Sequence, residues 1–388
     1  MKGLVNIGLS PNLEADDFKL AMKVLAAGGD EKARQGVVGW FEGYFSGYSA
    51  VAFNSGRTAA WAIIKALELK TGDEVLVQDF TCVAVPNSVR WAGVKTVDVK
   101  IKPGTYNMDA DDLVRKITKN SRAVIVQHTF GQAAELTRIL AICKKHNLFL
   151  IEDCAHALGA SYEGKLLGTW GDVAFFSLGR DKVVSSVFGG MAMSKDTKLI
   201  KRLRDIEAGL SENSWRWVTQ QLLHPILTWM FLPVYNMGLG KVGLWLSQKL
   251  GLLSKAVYTE EKRGLKPDCF PAKYSNKLAI LGLNQLKKLE RFNDHRKKIA
   301  DIYFEQLKDS GLILPPRQTG DIYLRFTVAS PRARELYLRA KLEKKWILGD
   351  WYKMPNQHVL NLPTCPNFSE EQAYELSNQI KIWLKPTK

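Results

Sequence analysis

Between residues 50 and 194 seven short apolar runs recur, separated in several places by longer amphipathic segments. The runs are "AVAF" (50–53), "EVLVQ" (74–78), "KTVDV" (95–99), "AVIVQH" (123–128), "LFLIED" (148–153), "VAFFS" (173–177) and "GGMAM" (189–193). No other feature constrains the fold as much. Strands alternating with helices predict an α/β architecture: a large, mostly parallel sheet covered on both faces. Within "AELTRILAICKKHN", Leu136, Ile139, Leu140 and Cys143 recur at helical spacing. Ligands of such sheets bind beyond the carboxyl ends of the strands, so that edge is where chemistry is expected.

The chain of 388 residues is long enough for one large and one smaller domain. We expect a large domain over 1–270 and a smaller C-terminal α/β domain over 271–388. A long amphipathic helix over about 274–308 would link them, and "DIYLRFTVAS" supplies a strand of the smaller unit. The formal net charge of +16 favours an anionic partner. No metal-finger spacing, RNA-binding aromatic signature or helix-turn-helix is present, so nucleic acid is not expected. Cys82, Cys143, Cys154, Cys269 and Cys365 are widely spaced without a CxxC, which argues against a disulfide framework or metal site and fits a reducing cytoplasm. The N-terminal stretch carries no apolar run long enough for a secretory signal.

Four pieces fall at predicted strand ends. "FNSGRTAAW" (53–61) reads as strand, tight turn and helix start, whose free amides and dipole can cradle an anion; a plain helix start is the alternative. "LIEDCAHALGA" (150–160) ends a buried strand in Asp153, with His156 three residues on; a helix cap would explain the same acid. "QHTFGQAAEL" places His128 at another strand end, where a satisfied loop histidine is the plainer reading. "FFSLGRDKVVSSVFGGM" (175–191) carries Ser177 and a single lysine, Lys182, in a Gly-punctuated loop between two apolar runs. An amide cradle, a lone carboxylate and a lone lysine together suit pyridoxal 5'-phosphate (PLP). Its phosphate takes amides and a hydroxyl, its ring nitrogen a carboxylate, and its aldehyde an amine.

In this order, "SGRTAAW", "GDEVLVQDFTCVAV", "HTFGQAAEL", "HNLFLIEDCAHALGASYEGKLLGTWGDVAFFS", "GRDK…GGM" and "NLPTCPNFSEEQ" resemble the DegT/DnrJ/StrS family of PLP-dependent sugar aminotransferases. The resemblance covers most of the chain. It implies a PLP-dependent transferase fold of aspartate-aminotransferase type and a homodimer. It implies Lys182 as the Schiff-base lysine, Asp153 as the partner of the pyridine nitrogen, and His156 beside the cofactor. Ser177 and the backbone amides of Arg57 and Thr58 would hold the phosphate. Where the family commonly has a stacking aromatic, this chain has Cys82 in "FTC", and Phe80 is a candidate substitute. Where the family has an Asn-aromatic-Arg motif, this chain has "PAKYSN", so Lys273 or Asn276 would stand in for a cross-subunit phosphate contact. The implied reaction moves an amino group from an amino acid, glutamate being the family's usual donor, to a keto sugar carried on a nucleotide diphosphate.

One segment has no counterpart in that pattern. From Trp217 to Gly240 no Asp, Glu, Lys or Arg occurs, and an apolar insertion is expected over about 213–258. Gln220, Gln221, His224, Pro225 and Pro233 argue against a spanning helix. Either the segment lies on an anionic membrane surface, through its tryptophans and nearby lysines, or it is a hairpin packed on protein. The rival to an enzyme is a membrane-docked scaffold that keeps the PLP fold without catalysis.

Overall fold

The computed structural model describes residues 5–6, 10–343, 346–352 and 358–385. All seven apolar runs form strands of one sheet: β1 (Ser49–Phe53), β2 (Glu74–Gln78), β3 (Lys95–Val99), β4 (Ser121–Gln127), β5 (Phe149–Asp153), β6 (Val173–Ser177) and β7 (Gly190–Ser194). Their order across the sheet is β1-β7-β6-β5-β4-β2-β3. Neighbours from β6 to β3 pair in parallel, whereas β7 is antiparallel to both β1 and β6.

Alternation along each strand divides the interior into two layers. Ala52, Leu76, Val124, Leu150 and Phe176 face a core closed by Val37 and Phe41 of the helix Ala33–Tyr44 and by Ile139 of Leu136–Lys145. Val51, Val75, Ile125, Ile151 and Phe175 face the other side, against Ile63 of Gly56–Ala66 and Leu203 of Thr197–Ala208. The sheet is therefore buried on both faces, as its uninterrupted apolar runs require.

A second core surrounds the antiparallel pair β8 (Phe326–Ala329) and β9 (Val359–Leu362), with the helices Leu289–Leu307, Ala333–Glu343 and Glu370–Leu384. The strand expected over 321–330 is shorter, since only Phe326–Ala329 pairs. The long helix expected over 274–308 is two helices, Asn276–Leu286 and Leu289–Leu307. At the break Lys288 turns its ammonium onto Glu14, Asp16 and Asp17 at 2.7–3.0 Å.

The apolar segment is a helical hairpin, Trp215–Phe231 followed by Leu239–Lys249. The first helix buries Val218, Leu222 and Ile226 in the main core. Its polar residues serve that packing: His224 Nε2 lies 2.7 Å from Ser10 Oγ, and Gln221 Oε1 accepts from Ser254 Oγ at 2.7 Å. Among the described residues no helix is long and apolar enough to cross a membrane.

Candidate active site

Register explains why distant segments converge. Gln127 pairs with Asp153, Phe53 with Gly190, and Gly190 with Ser177, so the ends of β4, β5, β1, β7 and β6 lie on one edge. A cavity of about 540 Å³ opens there, lined by Gly56, Arg57, Cys82, Asp153, His156, Ser177 and Lys182 among others. Close approach at its floor requires glycine. A Cβ on Gly190 would sit 2.3 Å from the Ser55 carbonyl carbon, and one on Gly56 would sit 2.9 Å from Ser177 Cβ. Ser55 caps the helix Gly56–Ala66, its Oγ accepting the Thr58 N–H at 3.2 Å. The helix N-terminus thus meets the cavity beside Ser177.

Lys182 occupies the loop between β6 and β7, whose backbone is clamped from behind. Asn12 Nδ2 donates to the Lys182 and Val183 carbonyls at 2.7 and 3.0 Å, and the buried Arg296 donates to Val183 O at 2.7 Å. The Lys182 ammonium lies 3.0 Å from His156 Nε2 and 3.7 Å from Asp181 Oδ1. Burial, then the Lys182 and Arg325 charges, push the His156 pKa well below its usual value, so its ring is neutral; its Nδ1 accepts the Phe130 N–H at 3.3 Å, which leaves the hydrogen on the Nε2 that faces Lys182. Burial raises the Asp181 carboxyl, but Lys182 and Arg325 outweigh it and hold the group below the usual range. Arg325 donates to Asp181 Oδ2 at 2.8 Å and lies 4.1 Å from the centre of the Trp351 ring. Phe130 stacks on both His156 and Tyr352, with ring centres 5.7 and 5.9 Å away.

Asp153 closes the far side. Its carboxylate accepts the Ala155 N–H at 3.0 Å, yet burial still raises its pKa to about 6. A buried carboxylate so poorly compensated fits a cationic ring nitrogen placed against it.

The sequence model of the DegT/DnrJ/EryC1/StrS aminotransferase family matches residues 38–236 and 250–381. The chain belongs to this family. Among relatives of this aminotransferase, GDP-perosamine synthase of Escherichia coli O157:H7 is 24% identical over 85% of this chain and 84% of that protein. GDP-perosamine synthase of Caulobacter vibrioides is 37% identical over 46% of this chain, a match that spans about half (49%) of that relative's length. A UDP-N-acetyl-3-dehydro-alpha-D-glucosamine 3-aminotransferase of Acidithiobacillus ferrooxidans is 26% identical over 88% of this chain and 86% of that protein. The fold matches that of PseC from Helicobacter pylori, with a TM-score of 0.74 at 18% identity over 97% of this chain and 98% of that one. It equally matches the PLP form of Spr1654 from Streptococcus pneumoniae, with a TM-score of 0.74 at 19% identity over 98% of each chain.

The cofactor of this family aminotransferase is PLP, and the cavity's donor set fits it: an amine, a buried carboxylate, a hydroxyl and a helix N-terminus closed by glycines. Not every expected residue lies there. Thr58 is absent from the lining; its amide donates to Ser55 Oγ at 3.2 Å and its hydroxyl to Asn54 Oδ1 at 2.7 Å. Asn276 and Lys273, expected to reach the cavity of a partner subunit, are placed here within their own chain: Asn276 starts a helix and accepts the Arg34 N–H at 2.9 Å, and Lys273 pairs with Phe53 as a backbone bridge. Phe80 is fully buried in a small cluster with Tyr106 and Phe130, off the cavity wall. His128 is buried too, 3.2 Å from Glu152, whose carboxylate also accepts three backbone N–H groups at 168, 170 and 171. Residues missed in the sequence include Gln127, Asp181, Arg325, Trp351 and Tyr352. Asp181 had a signal, its place beside Lys182. Arg325 had none, because it reaches Asp181 from 144 positions away.

One wall comes from the exit of the hairpin segment. Arg57 pairs with Glu261 and donates to Ala256 O at 2.9 Å, and Arg180 donates to Ser254 O at 2.8 Å. Ala256, Val257 and Lys262 consequently line the cavity.

Proposed function

We propose that this enzyme transfers the amino group of glutamate to a keto sugar carried on a nucleoside diphosphate. The observation that carries the reading is the meeting of Lys182, His156 and Asp153 in one cavity at the strand ends. Bound PLP supplies an electron sink that makes the substrate α-proton acidic. Asp153 would keep the ring nitrogen protonated. Ser177 and the N-terminus of Gly56–Ala66 would hold the phosphate. Lys182 would move the proton, with Nε2 of neutral His156 beside it and Asp181 keeping the amine in place. The names of the relatives support a nucleotide-linked acceptor: two act on GDP sugars and one on a UDP sugar. So does Lys262, an exposed cation at the cavity mouth, which we assign to the diphosphate. Reconstitution would occur as a homodimer, as the family resemblance implies.

The scaffold reading gains no support from a site that keeps the amine and the acid in one cavity. The test is a visible spectrum of PLP-loaded protein before and after glutamate, followed by GDP-, UDP- and dTDP-linked 4-keto and 3-keto sugars. We expect glutamate to bleach the lysine-bound band and one keto sugar to restore it. A band that glutamate leaves untouched would sink the donor assignment, and failure of every nucleotide sugar to restore it would sink the acceptor.

A further inference from the structure

The helix Leu239–Lys249 is built inside out. Gly240 and Ser247 are buried, and a Cβ on Gly243 would sit 2.4 Å from the Phe231 ring, so the small side of the helix packs on its neighbour. The large apolar residues Leu239, Val242, Trp245, Leu246 and Leu250 face out, each 46–66% exposed. They recur at three- and four-residue intervals and form one stripe. In water a short helix buries its large apolar side and exposes its small or polar one; this one does the reverse, which marks a surface meant to be covered.

Charge selects what covers it. From 213 to 259 the chain has no Asp or Glu, and its charged residues are Arg216, Lys241, Lys249 and Lys255. Lys249 Nζ lies 5.8 Å from the Trp245 ring centre and Lys241 Nζ 5.2 Å from that of Tyr235, so cations rim the apolar stripe. A second copy seated on this face through a two-fold axis would set these lysines against their own copies, with no acid in the segment to pair them. An anionic bilayer surface supplies what the stripe lacks: an apolar layer for Trp245 and Leu246, and phosphates for the lysines. Eleven residues are too few to cross, so the helix would lie in the interface plane. The family match skips 237–249, which carry all of the stripe but Leu250, so the element adds to the shared chemistry and is not part of it.

We propose that Leu239–Lys249 docks the enzyme flat on an anionic lipid surface. The test is co-sedimentation of the full PLP-loaded chain with vesicles of phosphatidylglycerol and phosphatidylcholine, and with phosphatidylcholine alone. The wild type should pellet with the anionic vesicles, show blue-shifted tryptophan emission and be released by high salt. The double variant Trp245→Ser/Leu246→Ser should partition at least about tenfold less, with unchanged activity and elution volume. Lys241→Gln and Lys249→Gln should each weaken anionic binding about fivefold and leave binding to neutral vesicles unchanged. Wild-type protein that stays in the supernatant would overturn the proposal, as would apolar variants that bind undiminished. So would a shift of the double variant from dimer to monomer, which would give the face to a second copy. Vesicle binding reads no chemistry, so its failure leaves the proposed reaction standing.

Discussion

The strand-end cavity and the hairpin break the usual sorting of residues in opposite senses. At the cavity, charge is taken out of water: Asp153, Asp181 and Arg325 sit with Lys182 around a common space. On the hairpin, apolar surface is left in water along Leu239–Lys249. Ordinary folding energetics favour neither. The difference lies in how each is held. The cavity loop is clamped by Asn12 and the buried Arg296, whereas the stripe rests on a small-residue face packed against one neighbouring helix. A preorganised site needs fixed groups, since catalysis falls steeply with small misplacements. A surface that meets a fluid bilayer needs only its chemistry on the correct side.

The comparison is broken most forcefully at Lys182. Lys182→Ala should cost at least about a thousandfold in turnover if, as proposed, the amine is both the cofactor's attachment point and the proton carrier. The fold should survive, since the side chain projects into the cavity and the loop is held through its backbone. Retained turnover within tenfold of wild type would show that another group moves the proton.

Asp153→Asn sharpens the contrast by separating stability from activity. Burial lifts the native pKa of Asp153 to about 6 from an ordinary value of 3.8. A native state that holds its proton more tightly than the unfolded chain loses stability as pH rises through that interval. The full cost, up to about 3 kcal/mol, is therefore present above pH 6 and vanishes below the ordinary carboxylate range. Asn keeps the oxygen that accepts the Ala155 N–H. Cofactor-free Asp153→Asn should accordingly melt higher than cofactor-free wild type at pH 7.5, with the gap closing toward pH 4. Its turnover with PLP should fall by about two orders of magnitude if Asp153 holds the charge proposed to face the ring nitrogen. A variant that melts lower at pH 7.5 would mean that the carboxylate is already compensated without cofactor.

These residues also show what a sequence can disclose. The seven strands were legible because a sheet covered on both faces needs uninterrupted apolar runs. Asp153 and Ser177 were legible because each ends such a run, and His156 and Lys182 because they lie three and five residues beyond those ends. The string "GRT" does not say which amides of the first turn stay free for an anion; the Thr58 amide donates to Ser55 Oγ, whereas Arg57 lines the cavity. Arg325 and Tyr352 were hidden because a different core carries them to the cavity, a matter of tertiary placement alone. The hairpin's apolar character was plain, yet its orientation was not. The signal for it was present in the spacing of Gly240, Gly243 and Ser247, a small face that could only point inward.

The smallest expected effect is the one that most directly tests the contrast. Leu246→Ser should change the unfolding free energy by no more than about 0.5 kcal/mol in the absence of lipid, because an exposed side chain loses little when truncated. Leu76→Ala, in the middle of β2 and fully buried, should cost about 2–5 kcal/mol through lost burial and the cavity left behind. Denaturant melts of the two variants read that ratio directly. If Leu246→Ser proved as costly as Leu76→Ala, the stripe would be covered by protein in solution. The hairpin would then be an ordinary core turned toward a partner chain, and both regions of the molecule would obey one sorting rule.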